Sequence, residues 1–438
     1  MYKNGNLTKK QQINWNRIIL YIGITLRILY MLYTPCNVRI HDLGTIEPGA
    51  NGHAGYILAL LEGHLPESAE AQFYQQPLYY ILTAGLAALW KIFVPGLSYD
   101  MQVSAGKVVS CMASCSTLLL TDKLGKVCNL QKEGQRILLL FVAFTPTYLL
   151  TGGCVAPDAL ATFFMTVEIL YTIYWKKQPN WWNTIMLALA YGLGVMTKIS
   201  CATIAIYTGA LFLKRLWEMQ KTKEIVSLIK KYIAFGFLSM PLGLWYSTRK
   251  WILFGQPFMY VLDPGPTSSL YISGHSWFSR FGYLDVKNLL DTPYVDLKRD
   301  YNAPAYFLKS SLFGEFTFSV PEFFARIFIG LAGLIVIYMI MAFMWNFKNN
   351  RQQYAYDLGL IFIIFYVNII IFNIQFPYTC SMDYRYMNIL TVLGGVLMGY
   401  YTDAIRKKMR VLLVFGEYAI ISTLIYLLVG IQSTVKQI

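Results

Sequence analysis

The sequence predicts an all-α polytopic membrane protein with about eleven transmembrane helices, and three observations lead there. The chain of 438 residues is 56% apolar and only 14% charged, with a mean hydropathy of +0.44, too oily for a water-soluble globule. Its apolar residues gather into runs long enough to cross a bilayer, which takes about 20 residues. Its lysines and arginines fall in short clusters between those runs, as they do in cytoplasmic loops. The net charge of +14 therefore reports orientation in a membrane and not a nucleic-acid partner.

Taken in order, the candidate spans are 17–35, 102–121, 137–151, 155–174, 183–198, 199–214, 231–248, 322–346, 358–374, 386–402 and 409–430. Lys9, Lys10 and Arg17 hold the N-terminus inside, so the first span exits and 38–80 lies outside. The later basic clusters are Lys123 to Arg136, Lys176/Lys177, Lys214 to Lys231, Lys348/Arg351 and Arg406 to Arg410. All five fall inside only if the apolar piece 78–94 does not cross. We therefore expect 78–94 to lie along or dip into the outer face, and the C-terminus to be external. This divides the chain into a transmembrane module (1–248, with a first external loop at 36–100), a large external segment (249–320) and C-terminal transmembrane helices (321–438). The first span lacks a small-residue cleavage site and reads as retained. Seven cysteines without CxxC spacing read as small buried apolar residues.

Chemistry-bearing residues collect on the predicted outer side. Asp42, preceded by Arg39 and His41, follows the first span by a few residues and could take a proton from an acceptor hydroxyl; a solvated loop aspartate is the alternative. His53 and His64, near Glu47 and Glu62, could add acid, base or binding groups, or be surface residues. Asp158 sits in the turn TGGCVAPDAL, where Pro157 and Asp158 also suit the first turn of a helix. An ionisable group so close to hydrocarbon is functional by default. Lys198, in GLGVMTKIS, lies between two short apolar spans that hold no acid to pair with it, and could neutralise a lipid-linked phosphate at headgroup level. Arg385 is a second outer cation, with Asp383 two residues away as a structural partner. Arg249 and Lys250 read as interfacial. There is no P-loop, GxGxxG, HExxH or GxSxG, so energy for any synthesis must come from a pre-activated substrate.

Together, HDLG at 41–44, GHAGYI at 52–57, QFYQQPLYY at 72–80, the Pro157–Asp158 turn, GLGVMTK at 192–198 and, more weakly, SMDYRY at 381–386 resemble the GT-C superfamily of membrane glycosyltransferases. The likeness is to the branch of protein O-mannosyltransferases, aminoarabinose transferases and bacterial dolichyl-phosphate-mannose-type transferases. It implies inverting transfer of a sugar from a polyprenyl-phosphate donor to a hydroxyl acceptor, a glycan, glycolipid or protein, on the extracytoplasmic side of the plasma membrane. It implies Asp42 and Asp158 as catalytic carboxylates and Lys198 at the donor phosphate, where the outer cation Arg385 is a second candidate. His41, His53, Tyr74 and Gln76 are then substrate-binding candidates. If a divalent cation is used, Asp42 and Asp158 are the residues to hold it. Such families also carry juxtamembrane helices in the first external loop, in agreement with a non-crossing 78–94. Gln75–Gln76–Pro77 stands where many relatives have His-Pro-Pro, and Ala156–Pro157–Asp158 where many have an Asn-Asn-Asp-like triplet, which implies altered donor or acceptor preference. The alternatives are a lipid or glycan transporter, which would place charges at the midplane of two matching halves, and an inactive scaffold in an envelope-assembly complex.

Overall fold

The computed structural model describes residues 14–68, 70–349 and 354–435; Lys9, Lys10, Arg351 and the C-terminal Ile438 lie outside them. Among the described residues the fold is all-α, with one isolated bridge between Tyr271 and Tyr378. The helices are α1 (Trp15–Tyr33), α2 (Gly52–Leu61), α3 (Leu78–Phe93), α4 (Tyr99–Val127), α5 (Lys132–Phe144), α6 (Thr147–Gly153), α7 (Asp158–Lys177), α8 (Trp181–Thr197), α9 (Ala205–Met219), α10 (Ile225–Phe254), α11 (Trp277–Phe281), α12 (Val286–Asp291), α13 (Ala303–Phe313), α14 (Glu322–Asn349), α15 (Ala355–Gln375), α16 (Asn388–Ala404) and α17 (Lys408–Thr423). A short π-helical and α-helical continuation of α17 runs to Val435.

Among the described residues, seven helices are long and apolar enough to cross a membrane, and eight if α5 and α6, bent by 47°, form one broken span. Length and composition alone thus stop short of eleven. The segments expected at 155–174, 183–198 and 386–402 are α7, α8 and α16. The last two have only 17 residues each, and α7 carries Asp158, Glu168, Lys176 and Lys177. α16 is buried along nearly its whole length, so it is shielded by protein on every side. By contrast α10 turns Ile233 (66% exposed) and Phe237 (77% exposed) outward, a cost in water that only an apolar surrounding removes.

The piece 78–94 is the 16-residue α3, about 24 Å long at 1.5 Å per residue and short of the ~30 Å hydrocarbon core. Its buried face (Tyr79, Tyr80, Thr83, Ala84, Ala87) lies at helical spacing. Ile92 and Phe93 on the other side are exposed. With α2 it forms a shelf over an apolar cluster of its own, containing Leu43, Tyr56, Tyr79, Tyr80, Val103, Val155 and Tyr246.

The bend between α5 and α6 has a cause. Pro146 lacks the N–H that would continue the helix, so the last carbonyls of α5 need other donors. Arg27, buried in α1, supplies them: its guanidinium donates to Val142 O and Ala143 O, each at 2.9 Å, and to Ser114 Oγ and Gly23 O at the same distance. Lys107 of α4 does the same for α1, donating to Thr34 O at 2.7 Å and Met31 O at 3.1 Å.

The two ends of the bundle differ. At one end the loops with basic clusters meet: Asp403 accepts from the Gln131 and Gly134 amides, and Lys176 pairs with Asp357. The other end gathers the first loop, the turns after α6 and α8, the 249–320 segment and the turn after α15. That segment is less loop-like than its composition suggests. α10 runs on to Phe254, and α13 is almost wholly buried. Arg280 reaches Asn373 O, and the backbone of Leu270 and Ile272 bonds to that of Thr379 and Pro377.

Candidate active site

The HDLG and GHAGYI pieces owe their pattern to one backbone crossing. His53 N donates to Asp42 O (3.0 Å) and Ala54 N to Leu43 O (2.9 Å), so residues 42 and 43 give early amides of α2 their acceptors. The strands of chain run so close that a Cβ on Gly44 would meet Asn51 O at 1.9 Å, and one on Gly52 would meet Leu43 O at 2.4 Å. Both glycines also have positive φ, as does Asp42 (φ 56), a conformation aspartate tolerates better than most residues. The crossing presents His41 and Asp42 on successive positions. Asp42 is exposed, and its charge acts on Tyr74, Glu315 and Cys380.

His41 faces inward. Its Nδ1 lies 3.2 Å from Glu315 Oε2, its Nε2 lies 3.4 Å from Asp383 Oδ2, and its ring packs on Phe316. Burial and the nearby Arg385 push the imidazole well below its ordinary value. Burial and the charge of Asp383 push the Glu315 carboxyl up to about 7, and the Tyr306 hydroxyl donates to its other oxygen. Burial likewise raises Asp383. Glu315 escapes a sequence reading because it lies in SLFGEFTF, with no acidic or histidine neighbour to mark it. The sole available signal was a lone acid between aromatic residues.

Asp158 opens α7 directly after Pro157, and Lys198 ends α8 in an extended conformation. Lys198 is not the unpaired cation the sequence suggested. Its Nζ bonds Asp158 Oδ1 at 2.5 Å and stands 4.5 Å over the Tyr386 ring. The acid that pairs with it comes from a turn forty residues earlier, which chain position cannot reveal. Arg385 lies beside Asp383 (Nε to Oδ2, 3.5 Å) and donates to the Tyr386 hydroxyl (2.9 Å). The pairing of Arg385 with Asp383 is therefore present.

Three spaces that share lining residues surround these groups. A chamber of about 20 Å³, room for about one water, is lined by His41, Asp158, Asp383, Arg385 and Phe316. A passage of about 10 Å³ holds Asp158, Lys198, Ser200, Arg385 and Tyr386. Beyond Lys198 and Tyr386 opens a groove of about 360 Å³ whose far wall is Phe365, Ile369 and Phe372 of α15, with Tyr74, Gln76 and Tyr260 opposite. Gln76 donates to Ser247 Oγ at 2.8 Å, and its buried Oε1 has no partner among the described residues, leaving an acceptor on the groove wall. Gln75 donates to the Tyr74 hydroxyl at 3.1 Å.

Other expectations fall outside this constellation. His53 is 3% exposed, bonded to the Tyr80 hydroxyl (2.6 Å) and stacked on that ring; it lies behind the site and lines none of the three spaces. His64 pairs with Glu62 on the surface. Lys250 is not interfacial: it is 2% exposed and donates to Tyr74 O, holding the turn that carries Tyr74 against α10.

Among the described residues, neither Asp42 nor Asp158 belongs to a group of three or more His, Cys, Asp and Glu side chains close enough to share an ion. The group of His, Cys, Asp and Glu side chains close enough to share an ion, among the described residues, is His41, Glu315 and Asp383. As placed, it does not chelate. The two carboxylates flank opposite ring nitrogens, and one ion can take only one nitrogen of an imidazole.

Residues 77–265 match the family model described as dolichyl-phosphate-mannose-protein mannosyltransferase. No curated protein matches by sequence. Among solved structures, the chain is similar to ArnT from Cupriavidus metallidurans bound to undecaprenyl phosphate (11% identity, TM-score 0.54, covering 92% of this chain and 62% of that one). It is also similar to the Archaeoglobus fulgidus oligosaccharyltransferase tethered to an acceptor peptide containing the NVT sequon (10% identity, TM-score 0.52, 98% and 55%). The chain thus spans less than two thirds of the length of either. Its fold is that of these two membrane proteins.

Proposed function

We propose that this protein is an inverting glycosyltransferase that moves a sugar from a polyprenyl-phosphate donor to a hydroxyl acceptor at the extracytoplasmic face of the plasma membrane. The observation that carries the reading is the groove. It is walled by apolar side chains of a candidate spanning helix and shares Lys198 and Tyr386 with a small passage, which in turn shares Asp158 and Arg385 with a chamber of carboxylates. An isoprenoid tail suits the aromatic wall, and a phosphate at its head meets Lys198 with Arg385 behind it. Gln76 and Tyr74 are placed to contact the sugar. The basic clusters at the opposite end of the bundle support an outward-facing site.

In this reading Asp42 takes the proton of the acceptor hydroxyl, which attacks the anomeric carbon opposite the phosphate and so inverts it. The phosphate is a stable leaving anion, and Lys198 stabilises the charge that develops on it. Asp158 holds the acceptor, and His41 is fixed by Glu315 and Asp383 in the chamber beside them. The acceptor is a glycan, glycolipid or protein hydroxyl.

The test is mass spectrometry of reconstituted protein supplied with polyprenyl-phosphate sugars and candidate acceptors. We expect transfer by the wild type and none by a folded Asp42→Asn variant. Unchanged turnover in that variant would remove the central assignment.

A further inference from the structure

The groove and the chamber meet at one ion pair. Lys198 lines the groove, Asp158 lines the chamber, and both line the passage between. Chamber and passage offer about 20 and 10 Å³ against about 360 Å³ in the groove. In this structure, then, the Asp158 carboxylate is engaged by a bond that closes at 2.5 Å. The same ammonium is the first cation a phosphate in the groove would meet.

We propose that the Asp158–Lys198 pair is a latch operated by the donor's phosphate: phosphate binding in the groove draws Lys198 off Asp158, and this frees the carboxylate to hold the acceptor. The inference rests on reading the groove as a donor site. Lysine suits the role because its ammonium is a compact charge on a flexible stem, able to exchange one anion for another. Phosphate oxygens form charge-assisted bonds of the same kind as the carboxylate does. Asp158 is not stranded when Lys198 leaves, because Arg385 lines both chamber and passage. Its Nε faces Asp383 at 3.5 Å without a hydrogen bond. Tyr386 holds the other end of that guanidinium and carries Lys198 over its ring, so one side chain touches both cations. The consequence is compulsory order. The acceptor is gripped only after the donor is seated, which keeps Asp158 away from other hydroxyls until then.

The experiment uses the full chain in detergent and undecaprenyl phosphate, which carries no sugar, as the probe. Asp158→Asn removes the competing charge at nearly constant shape. The latch predicts that this variant binds the probe more tightly than wild type, by at least about fivefold, the lower end of ordinary coupling between sites. If Asp158 instead aims Lys198 at the phosphate, the variant binds equally or more weakly, and the latch is overturned. A direct reading on the wild type covers the case in which Asp158→Asn fails to fold. Carbodiimide labelling of Asp158, located by peptide mass spectrometry, rises when undecaprenyl phosphate is added; constant or reduced labelling overturns the proposal. The two readings fail separately. A wild type that does not bind the probe overturns the donor site and the latch with it, whereas binding without tightening or labelling overturns the latch alone.

Discussion

His41 Nε2 faces Asp383 Oδ2 at 3.4 Å, tying the first loop to the turn after α15. With Glu315 on the other ring nitrogen, the imidazole is held from both sides while lining the chamber and not the groove. His41→Ala should therefore lower turnover, by about a hundredfold if the chamber shifts by about an ångström, and leave undecaprenyl phosphate affinity unchanged. Lys198→Ala should do the reverse to binding, weakening it by about 1.5–3 kcal/mol, the range for a hydrogen bond to a charged group. Equal losses of affinity in both variants would contradict this division.

Arg27 donates to four acceptors while fully buried in α1. Arg27→Met keeps the volume but leaves the carbonyls of Val142 and Ala143 unsatisfied at the α5–α6 break. Each orphaned group costs about 1–3 kcal/mol. We expect a markedly lower unfolding midpoint in detergent, with Arg27→Lys intermediate because an ammonium can reach fewer of the four. A wild-type midpoint for Arg27→Met would show that the break is held by other contacts.

His53 carries a pH dependence with a definite sign. Burial outweighs the nearby charges and holds its imidazole down to about 3, against an ordinary value of 6.5. Below pH 6.5 the unfolded chain takes up a proton that the folded chain does not. Its contribution to stability is thus complete above about pH 6.5 and is lost as pH falls toward 3. His53→Gln preserves a hydrogen-bonding group for Tyr80 and removes the titration. Unfolding midpoints compared at about pH 7 and pH 5 should fall less in the variant than in the wild type.

Lys309 is fully buried and bonded to Asp300 (3.0 and 3.2 Å) and Asn288 (2.8 Å), fastening α12 and its following turn to α13. Removing one member of a buried pair costs about 3–5 kcal/mol because the other charge is left uncompensated. Lys309→Met should open 285–300 to limited proteolysis without altering cleavage near 403–408, at the other end of the bundle. Protection equal to wild type would mean that apolar packing alone secures the segment.

Much of this architecture was legible in the sequence. The all-α membrane class follows from apolar runs and their charged breaks, since hydropathy is a local property and the bilayer reads it locally. The short α3 was visible as the apolar piece 78–94. The HDLG and GHAGYI pieces were visible as motifs, and their glycines now have a reason in the crossing of 42–44 with 51–53. Gathering Asp158, Lys198 and Arg385 at one end needed only the alternation of crossings.

What tertiary structure alone decided is who stands next to whom. Asp158 and Lys198 lie on different helices, as do His41, Glu315 and Asp383, and no spacing in the chain encodes such contacts. Packing sent His53 into an aromatic stack and left His41 in the chamber, although both are histidines of the same loop. It turned Lys198 from an unpaired cation into half of an ion pair, and brought in Glu315, whose local sequence marks nothing. The physical reason is the same in each case. Burial makes an unpaired charge or polar group expensive, so a side chain's role is set by the partner the fold delivers, and that partner is found across space.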